Sequence, residues 1–133
     1  MPAHHYHAMI WIDHREARVF HFSPTEVERL VVRPEHPTKH IHHKANSMGS
    51  GHVGAGHEYL RAVVESVSDA GAILITGPAN TKTDLIKFIH EHHPDRIKNI
   101  VGVETVDHPS DAALVAHARK YFMSADRMQP QIP

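Results

Sequence analysis

Histidine is the side chain best suited to chemistry in this sequence, and it is concentrated in one stretch. The chain has sixteen histidines in 133 residues, and residues 34–56 combine several of them with lysines and glycines around a single acid, Glu35. Glycine lets a backbone approach a phosphate closely, and lysine and histidine supply positive charge. This composition predicts an RNA-contacting loop. The residues predicted to make the contact are Lys39, His40, His42, His43, Lys44, Gly49, Gly51 and His52.

Two of these histidines also have a spacing that suits a metal ion. His40 and His42 are two residues apart, so their side chains point to the same side of an extended backbone, and imidazole is a zinc ligand. The chain has no cysteine, and it has no His-Glu-x-x-His pattern. Two of the features that mark many zinc sites are thus missing. The spacing of His40 and His42 still keeps a metal-dependent hydrolase or metal-binding protein, with a divalent metal such as zinc, as the alternative to RNA contact. The RNA hypothesis requires no cofactor.

A second candidate binding site lies where an apolar strand leads into a helix, at residues 76–82. Free backbone amides at a helix N-terminus can hold an anion, and this predicts an anion site formed by Gly77, Asn80, Thr81 and Lys82. The spacing differs from the Gly-x-x-x-x-Gly-Lys-[Ser/Thr] pattern, which excludes a nucleotide P-loop. An ordinary capped helix start is the competing interpretation.

Three acidic residues raise the question of nuclease activity. Two-metal nucleases of the ribonuclease-H type need carboxylates that converge between the two ions. Asp13 lies at the end of the first predicted strand, Glu58 in the first predicted helix and Asp111 near the start of the last one. The buried strand that ends at residues 75–78 offers no carboxylate, however. The sequence therefore argues against two-metal chemistry and predicts that Asp13 is a turn residue.

The order Asp-His-Pro-Ser over residues 107–110 invites comparison with a hydrolase triad. Ser110 is predicted to cap a helix, where backbone amides occupy its oxygen, and no nucleophile elbow surrounds it. We therefore predict no catalytic residue, and the sequence favours a protein without enzymatic activity.

The apolar pattern indicates which elements position these residues. Predicted strands cover residues 8–13, 17–22, 27–33, 71–76 and 100–106, and predicted helices cover residues 57–69, 80–93 and those from 110 onward. The strand at 71–76 is apolar without alternation, which is typical of a strand covered on both faces. In the last helix, Leu114, Ala118, Tyr121 and Phe122 form the stripe expected to be buried.

Three strands followed by alternating helices and strands predict an α/β fold of the ribonuclease-H-like class. We expect a mixed five-stranded sheet in which an antiparallel meander of three strands precedes the α-β-α-β-α part, with flanking helices. Residues 1–126 are predicted to form a single domain, with a long mobile loop at 34–56 and a disordered tail at 127–133. A solvated flexible linker is the simplest alternative for the loop.

Charge and hydropathy restrict the class of protein. Fourteen lysines and arginines against fifteen acids give a net charge of −1, which argues against a generally basic nucleic-acid binder. No apolar run approaches the ~20 residues that a membrane span needs, so we expect no membrane partner and a cytoplasmic location. Histidines titrate near neutral pH, and a pH-responsive homo-oligomer is a further possibility.

Three segments resemble a known family. Residues 11–20 resemble the first hairpin of the central domain of eukaryotic and archaeal peptide-chain release factors and Pelota, and more closely that of its bacterial relatives. Residues 73–78 together with Lys82, and residues 103–111, resemble the later strand-to-helix joints of small bacterial proteins described as translational machinery components. The resemblance covers roughly residues 8–122 and implies a ribonuclease-H-like fold without nuclease activity. It also implies the ribosome or tRNA as partner.

The long loop departs from the family at one important point. In true release factors the loop in this position carries a Gly-Gly-Gln tip that enters the peptidyl-transferase centre. Here residues 48–52 read Met-Gly-Ser-Gly-His, without glutamine. The resemblance therefore implies proximity to RNA but not hydrolysis of peptidyl-tRNA.

Overall fold

The structure is a computed structural model that describes residues 6–34 and 56–128, with side chains as far as Met123. Most of the predicted loop 34–56, and residues 129–133 of the predicted tail, lie outside these ranges. Within them, no helix combines the length and the apolar character needed to cross a lipid bilayer.

The first third of the chain forms three short strands. Strand β1 spans His7–Ile12, β2 spans Ala17–Phe22 and β3 spans Val27–Val32. Backbone hydrogen bonds close the two turns between them, from Asp13 N to Glu16 O and from Ser23 N to Glu26 O. The predicted antiparallel meander is confirmed.

The second half alternates helices and strands, as predicted. Its elements are α1 (His57–Ser66), β4 (Ala72–Gly77), α2 (Thr81–His92), a 3-10 helix (Pro94–Asn99), β5 (Ile100–Thr105) and α3 (Asp111–Met128). Helix α1 ends three residues before the predicted boundary because Val67 N and Ser68 N bond to carbonyls three residues back, which turns the chain. The 3-10 helix was not predicted; Pro94 begins it directly after α2.

The strands form one mixed sheet in the order β3-β2-β1-β4-β5. Strand β2 is antiparallel to both of its neighbours, and β1, β4 and β5 run parallel to one another. The predicted α/β fold with a mixed five-stranded sheet is therefore confirmed. An irregularity between Ile73 and Leu74 shifts the register with β5.

Helices cover the sheet on both faces. Helices α1 and α2 enclose a mainly aliphatic core on one face, built around Ile10, Val19, Ile75 and Leu85. Helix α3 packs Leu114, Ala118 and Phe122 against Trp11, Phe20 and Leu74 on the other face. Every residue of β4 is buried, as its unbroken apolar sequence predicts, whereas β3 lies at an edge of the sheet and is mostly exposed.

Candidate functional site at the carboxyl edge of the sheet

The topology collects most of the chemically interesting residues at one edge. Strands β1, β3, β4 and β5 all end at this edge, and β2 begins there. We call it the carboxyl edge, and the opposite side the amino edge. The chain leaves the described residues after Pro34, at the end of β3, and re-enters them at Gly56, before α1. Ligands of α/β proteins commonly bind at the carboxyl ends of strands.

Asp13 organises the turn between β1 and β2. Its Oδ1 accepts hydrogen bonds from the backbone amides of Arg15 at 2.8 Å and Glu16 at 2.9 Å, which confirms the predicted role as a turn residue. The Tyr59 hydroxyl donates to the Asp13 carbonyl at 2.8 Å. Burial, and to a lesser extent the charges of Asp13 and Glu16, raises the pKa of Tyr59 well above its usual range, so the phenol stays a neutral donor.

Arg18 joins β2 to the start of α3. Its guanidinium lies 4.3 Å from the centre of the Trp11 ring, and Nη1 donates to the Pro109 carbonyl at 2.9 Å and to Asp111 Oδ1 at 2.8 Å. The side chain is 11% exposed. Its Nε is buried without a hydrogen-bond partner among the described residues, and Glu16 Oε2 lies 3.8 Å away. Arg18 therefore links β2 to the start of α3, and its Nε is a further donor without a hydrogen-bond partner among the described residues.

Two further arginines extend this charge network along β3. Arg29 Nε lies 2.6 Å from Asp111 Oδ2, and Arg33 Nη2 lies 3.1 Å from Glu16 Oε1. Both carboxylate oxygens of Asp111 are thus held by arginines. This occupation makes Asp111 unsuitable as a nuclease ligand in this arrangement.

His108 stands between two carboxylates in the segment that connects β5 to α3. Its Nδ1 lies 2.9 Å from Asp107 Oδ1, and its Nε2 lies 3.5 Å from Asp13 Oδ2. The Trp11 ring meets the His108 ring edge-on, at 5.1 Å between centroids. The Trp11 Nε1 donates to the Asp107 carbonyl at 2.8 Å. Ser110 Oγ accepts a hydrogen bond from Ala113 N at 3.1 Å, which confirms the predicted helix cap and leaves no triad.

The predicted anion site lies at the same edge, between β4 and α2. Thr81 and Lys82 are buried, and Lys82 Nζ donates to the Ala79 carbonyl at 2.6 Å. Asn80 precedes the helix without a capping hydrogen bond from its side chain. Gly77 is packed against Ile12 so closely that a Cβ would overlap the Ile12 carbonyl oxygen. Anion binding here stays a prediction.

The remaining predicted contact residues lie outside the described residues. This applies to the whole proposed RNA-binding set, including His40 and His42, the predicted metal ligands. Within residues 6–34 and 56–128, no three His, Asp or Glu side chains converge as a metal site. Glu58 lies exposed in the first turn of α1.

Sequence reasoning missed the approach of His108 to Asp13 and the pairing of Arg18 with Asp111. Each contact joins opposite halves of the sequence, so no local spacing announces it. One signal was present for Arg18. An arginine between Ala17 and Val19, in a largely apolar strand, needs a carboxylate partner if the strand is buried.

Comparison with known proteins gives matches only at the level of structure. No family model matches the chain, and no curated protein matches its sequence. Pelota from Archaeoglobus fulgidus superposes with a TM-score of 0.59 at 17% identity, over 86% of this chain and 30% of Pelota. The archaeal translation termination factor aRF1 gives 0.54 at 14% identity, over 92% of this chain and 38% of aRF1. Pelota from Thermoplasma acidophilum gives 0.52 at 14% identity, over 83% of this chain and 30% of that protein.

The chain thus spans only about a third of the length of the proteins it resembles. At these identities the likeness shows a shared fold. It confirms the fold expected from the resemblance to release factors and Pelota. The closer resemblance to bacterial relatives stays a prediction.

Proposed function

We propose that this protein acts in translation, at the ribosome or on tRNA, and that it works by contacting RNA rather than by catalysis. The observation that carries the proposal is the fold shared with Pelota and with aRF1, of which the latter is described as a translation termination factor. A cytoplasmic location is part of the proposal.

The place of the His/Lys/Gly segment supports RNA contact. Its two ends, Pro34 and Gly56, adjoin the carboxyl edge, where Arg33 is 67% exposed. Within the segment, Lys39 and Lys44 supply permanent positive charge, and Glu35 is the only acid. Contacts with phosphates supply the salt-dependent part of nucleic-acid affinity.

Co-sedimentation with ribosomes over a series of salt concentrations tests the proposal. We expect the wild-type chain to associate at low salt and dissociate as salt rises. The double variant Lys39→Gln/Lys44→Gln should bind more weakly and lower the salt slope by about two, since each lost phosphate contact removes about one. The matched control is Lys87→Gln/Lys98→Gln, which removes two exposed lysines of α2 and the 3-10 helix.

Equal loss in both double variants would point to general charge rather than to the segment. Failure of the wild-type chain to associate at low salt would overturn the proposal. Deletion of residues 39–52 provides the stronger perturbation, and retention of full binding after that deletion would also contradict it.

The alternative, a metal-binding protein or metal-dependent hydrolase, rests on His40 and His42 and stays a prediction. Elemental analysis of untagged protein separates the two hypotheses. A stoichiometric metal that is lost in His40→Ala/His42→Ala would favour the alternative.

A further inference from the structure

His108, which lies outside residues 35–55, has two carboxylate neighbours and is a candidate ligand for a cation. His108 Nδ1 lies 2.9 Å from Asp107 Oδ1 and Nε2 lies 3.5 Å from Asp13 Oδ2. A neutral imidazole donates from one ring nitrogen and presents a lone pair on the other. Asp107 Oδ1 is the nearer acceptor, at hydrogen-bond distance from Nδ1, and in the tautomer that donates to it Nε2 presents its lone pair toward Asp13. Two electron-pair donors, Nε2 and Oδ2, then stand 3.5 Å apart.

That separation matches two ligands of one metal ion. Imidazole nitrogen and carboxylate oxygen bind zinc-like ions at about 2.0–2.2 Å. At a tetrahedral angle, two such ligands lie ~3.3–3.6 Å apart. The observed 3.5 Å is inside this range and is long for a hydrogen bond.

Both ligands are held in place before any metal arrives. Asp13 Oδ1 is fixed by the amides of Arg15 and Glu16, which leaves Oδ2 facing His108. Asp107 Oδ1, on a side chain that is 93% exposed, lies 2.9 Å from the other ring nitrogen of His108; carboxylates in this position orient the ring in many metal sites. His108 is 60% exposed and Asp13 is 12% exposed, so a metal could enter from solvent and still rest on an ordered carboxylate.

We propose that Asp13 Oδ2 and His108 Nε2 bind a divalent transition metal such as Zn²⁺ or Co²⁺. With two ligands from the described residues, the remaining positions are open to water or to an oxygen of a bound ligand. The cavity at this place is lined by the two ligands, by Trp11, His14 and Glu16, and by three arginines, Arg15, Arg18 and Arg33. Arg18 is paired with Asp111 and Arg33 with Glu16. This site does not depend on RNA contact, since neither ligand belongs to residues 35–55.

A second histidine–carboxylate pair in the same protein supplies the matched control. His117 Nε2 lies 2.6 Å from Glu104 Oε1, a hydrogen-bond distance that leaves no room for an ion between the two atoms. The His117 and Glu104 side chains are also open to solvent, at 43% and 35%. His117 should therefore contribute nothing to the site.

The single tryptophan of the chain makes the test local. Trp11 is the only tryptophan, and its ring centre lies 5.1 Å from that of His108. Co²⁺ bound to His108 should quench its fluorescence strongly, whereas Co²⁺ at distant histidines should not. We expect untagged protein at pH 7.5 to show saturable quenching by sub-millimolar Co²⁺, and Zn²⁺ to reverse it by competition.

Four variants decide whether the quenching comes from this site. Asp13→Asn keeps the oxygen that accepts the two turn amides but places an amide donor opposite His108, and we expect the apparent Co²⁺ affinity to fall more than about tenfold, as it should in His108→Gln. Asp107→Asn should weaken binding about tenfold by loosening the ring orientation. His117→Gln should bind like the wild type.

Thermal unfolding of Asp13→Asn and His108→Gln checks that both remain folded. Absence of saturable quenching in the wild type would overturn the proposal. So would quenching in Asp13→Asn and His108→Gln that equals the quenching in the wild type, because the ion would then be bound elsewhere. Loss of quenching in His117→Gln alone would assign the metal to the other pair.

Discussion

Glycine stands at both ends of β4, and the two surroundings differ in kind. At the carboxyl edge, a Cβ on Gly77 would overlap the carbonyl oxygen of Ile12, part of the backbone of β1. At the amino edge, a Cβ on Gly71 would overlap the ring of Tyr6, a side chain that is 57% exposed. The ring can turn away, whereas the backbone of β1 is held by ladders on both sides.

The two edges of the sheet also differ in the kinds of contact that hold them. The carboxyl edge is held by a bonded turn, buried or partly buried ion pairs and the Tyr59 hydrogen bond. The amino edge is an apolar groove formed by aromatic rings and Met123, with Arg119 stacked on Phe22. Precise geometry is thus concentrated where the candidate binding groups lie, which is what binding at fixed distances requires.

The largest predicted contrast between the edges comes from the two glycines. Gly77→Ala forces two backbones apart and should lower the free energy of unfolding by about 3 kcal/mol or more. Gly71→Ala only displaces an exposed ring and should cost less than about 1 kcal/mol. Urea unfolding of both variants measures the difference. Similar losses at the two positions would show that the amino edge is as rigid as the carboxyl edge.

An intermediate contrast compares one arginine from each edge. Arg18→Met removes the bonds to Pro109 and Asp111 and the stacking on Trp11, and we expect a loss of about 2 kcal/mol in the free energy of unfolding. Arg119→Met removes only long contacts, at 3.3 and 3.4 Å, from an exposed side chain, together with stacking on Phe22.

We expect Arg119→Met to cost less than about 1 kcal/mol. The same denaturation measurement compares the two arginine variants. A larger loss in Arg119→Met than in Arg18→Met would reverse the comparison, and it would place the stabilising charge at the amino edge.

The fold could be predicted because its signals are local. The apolar runs in β1 and β2 flank a short polar turn, and the unbroken apolar β4 announces a strand covered on both faces. The predicted helix ends were less accurate, as in α1, because a few backbone hydrogen bonds decide where a helix ends. The 3-10 helix after Pro94 has no periodic signal of its own.

The candidate site could be predicted only in part, for a physical reason. The turn role of Asp13 and the cap at Ser110 depend on neighbours in sequence, and both predictions are confirmed. The approach of His108 to Asp13 depends on how the segment between β5 and α3 is placed relative to the end of β1. Nothing within a few residues of either side chain encodes that distance.

The smallest contrast concerns two tyrosine hydroxyls. Tyr59 donates to the Asp13 carbonyl at 2.8 Å in a partly buried place at the carboxyl edge, whereas Tyr121 donates to the Val101 carbonyl at 2.9 Å in an exposed one, toward the amino edge. Water can replace the second donor but reaches the first poorly. Tyr59→Phe should therefore cost about 1 kcal/mol of unfolding free energy, and Tyr121→Phe about half that or less. Denaturant midpoints of the two variants, compared where the denaturant dependence of the unfolding free energy is unchanged, resolve the two values. Equal costs would mean that burial does not distinguish these two hydroxyl groups.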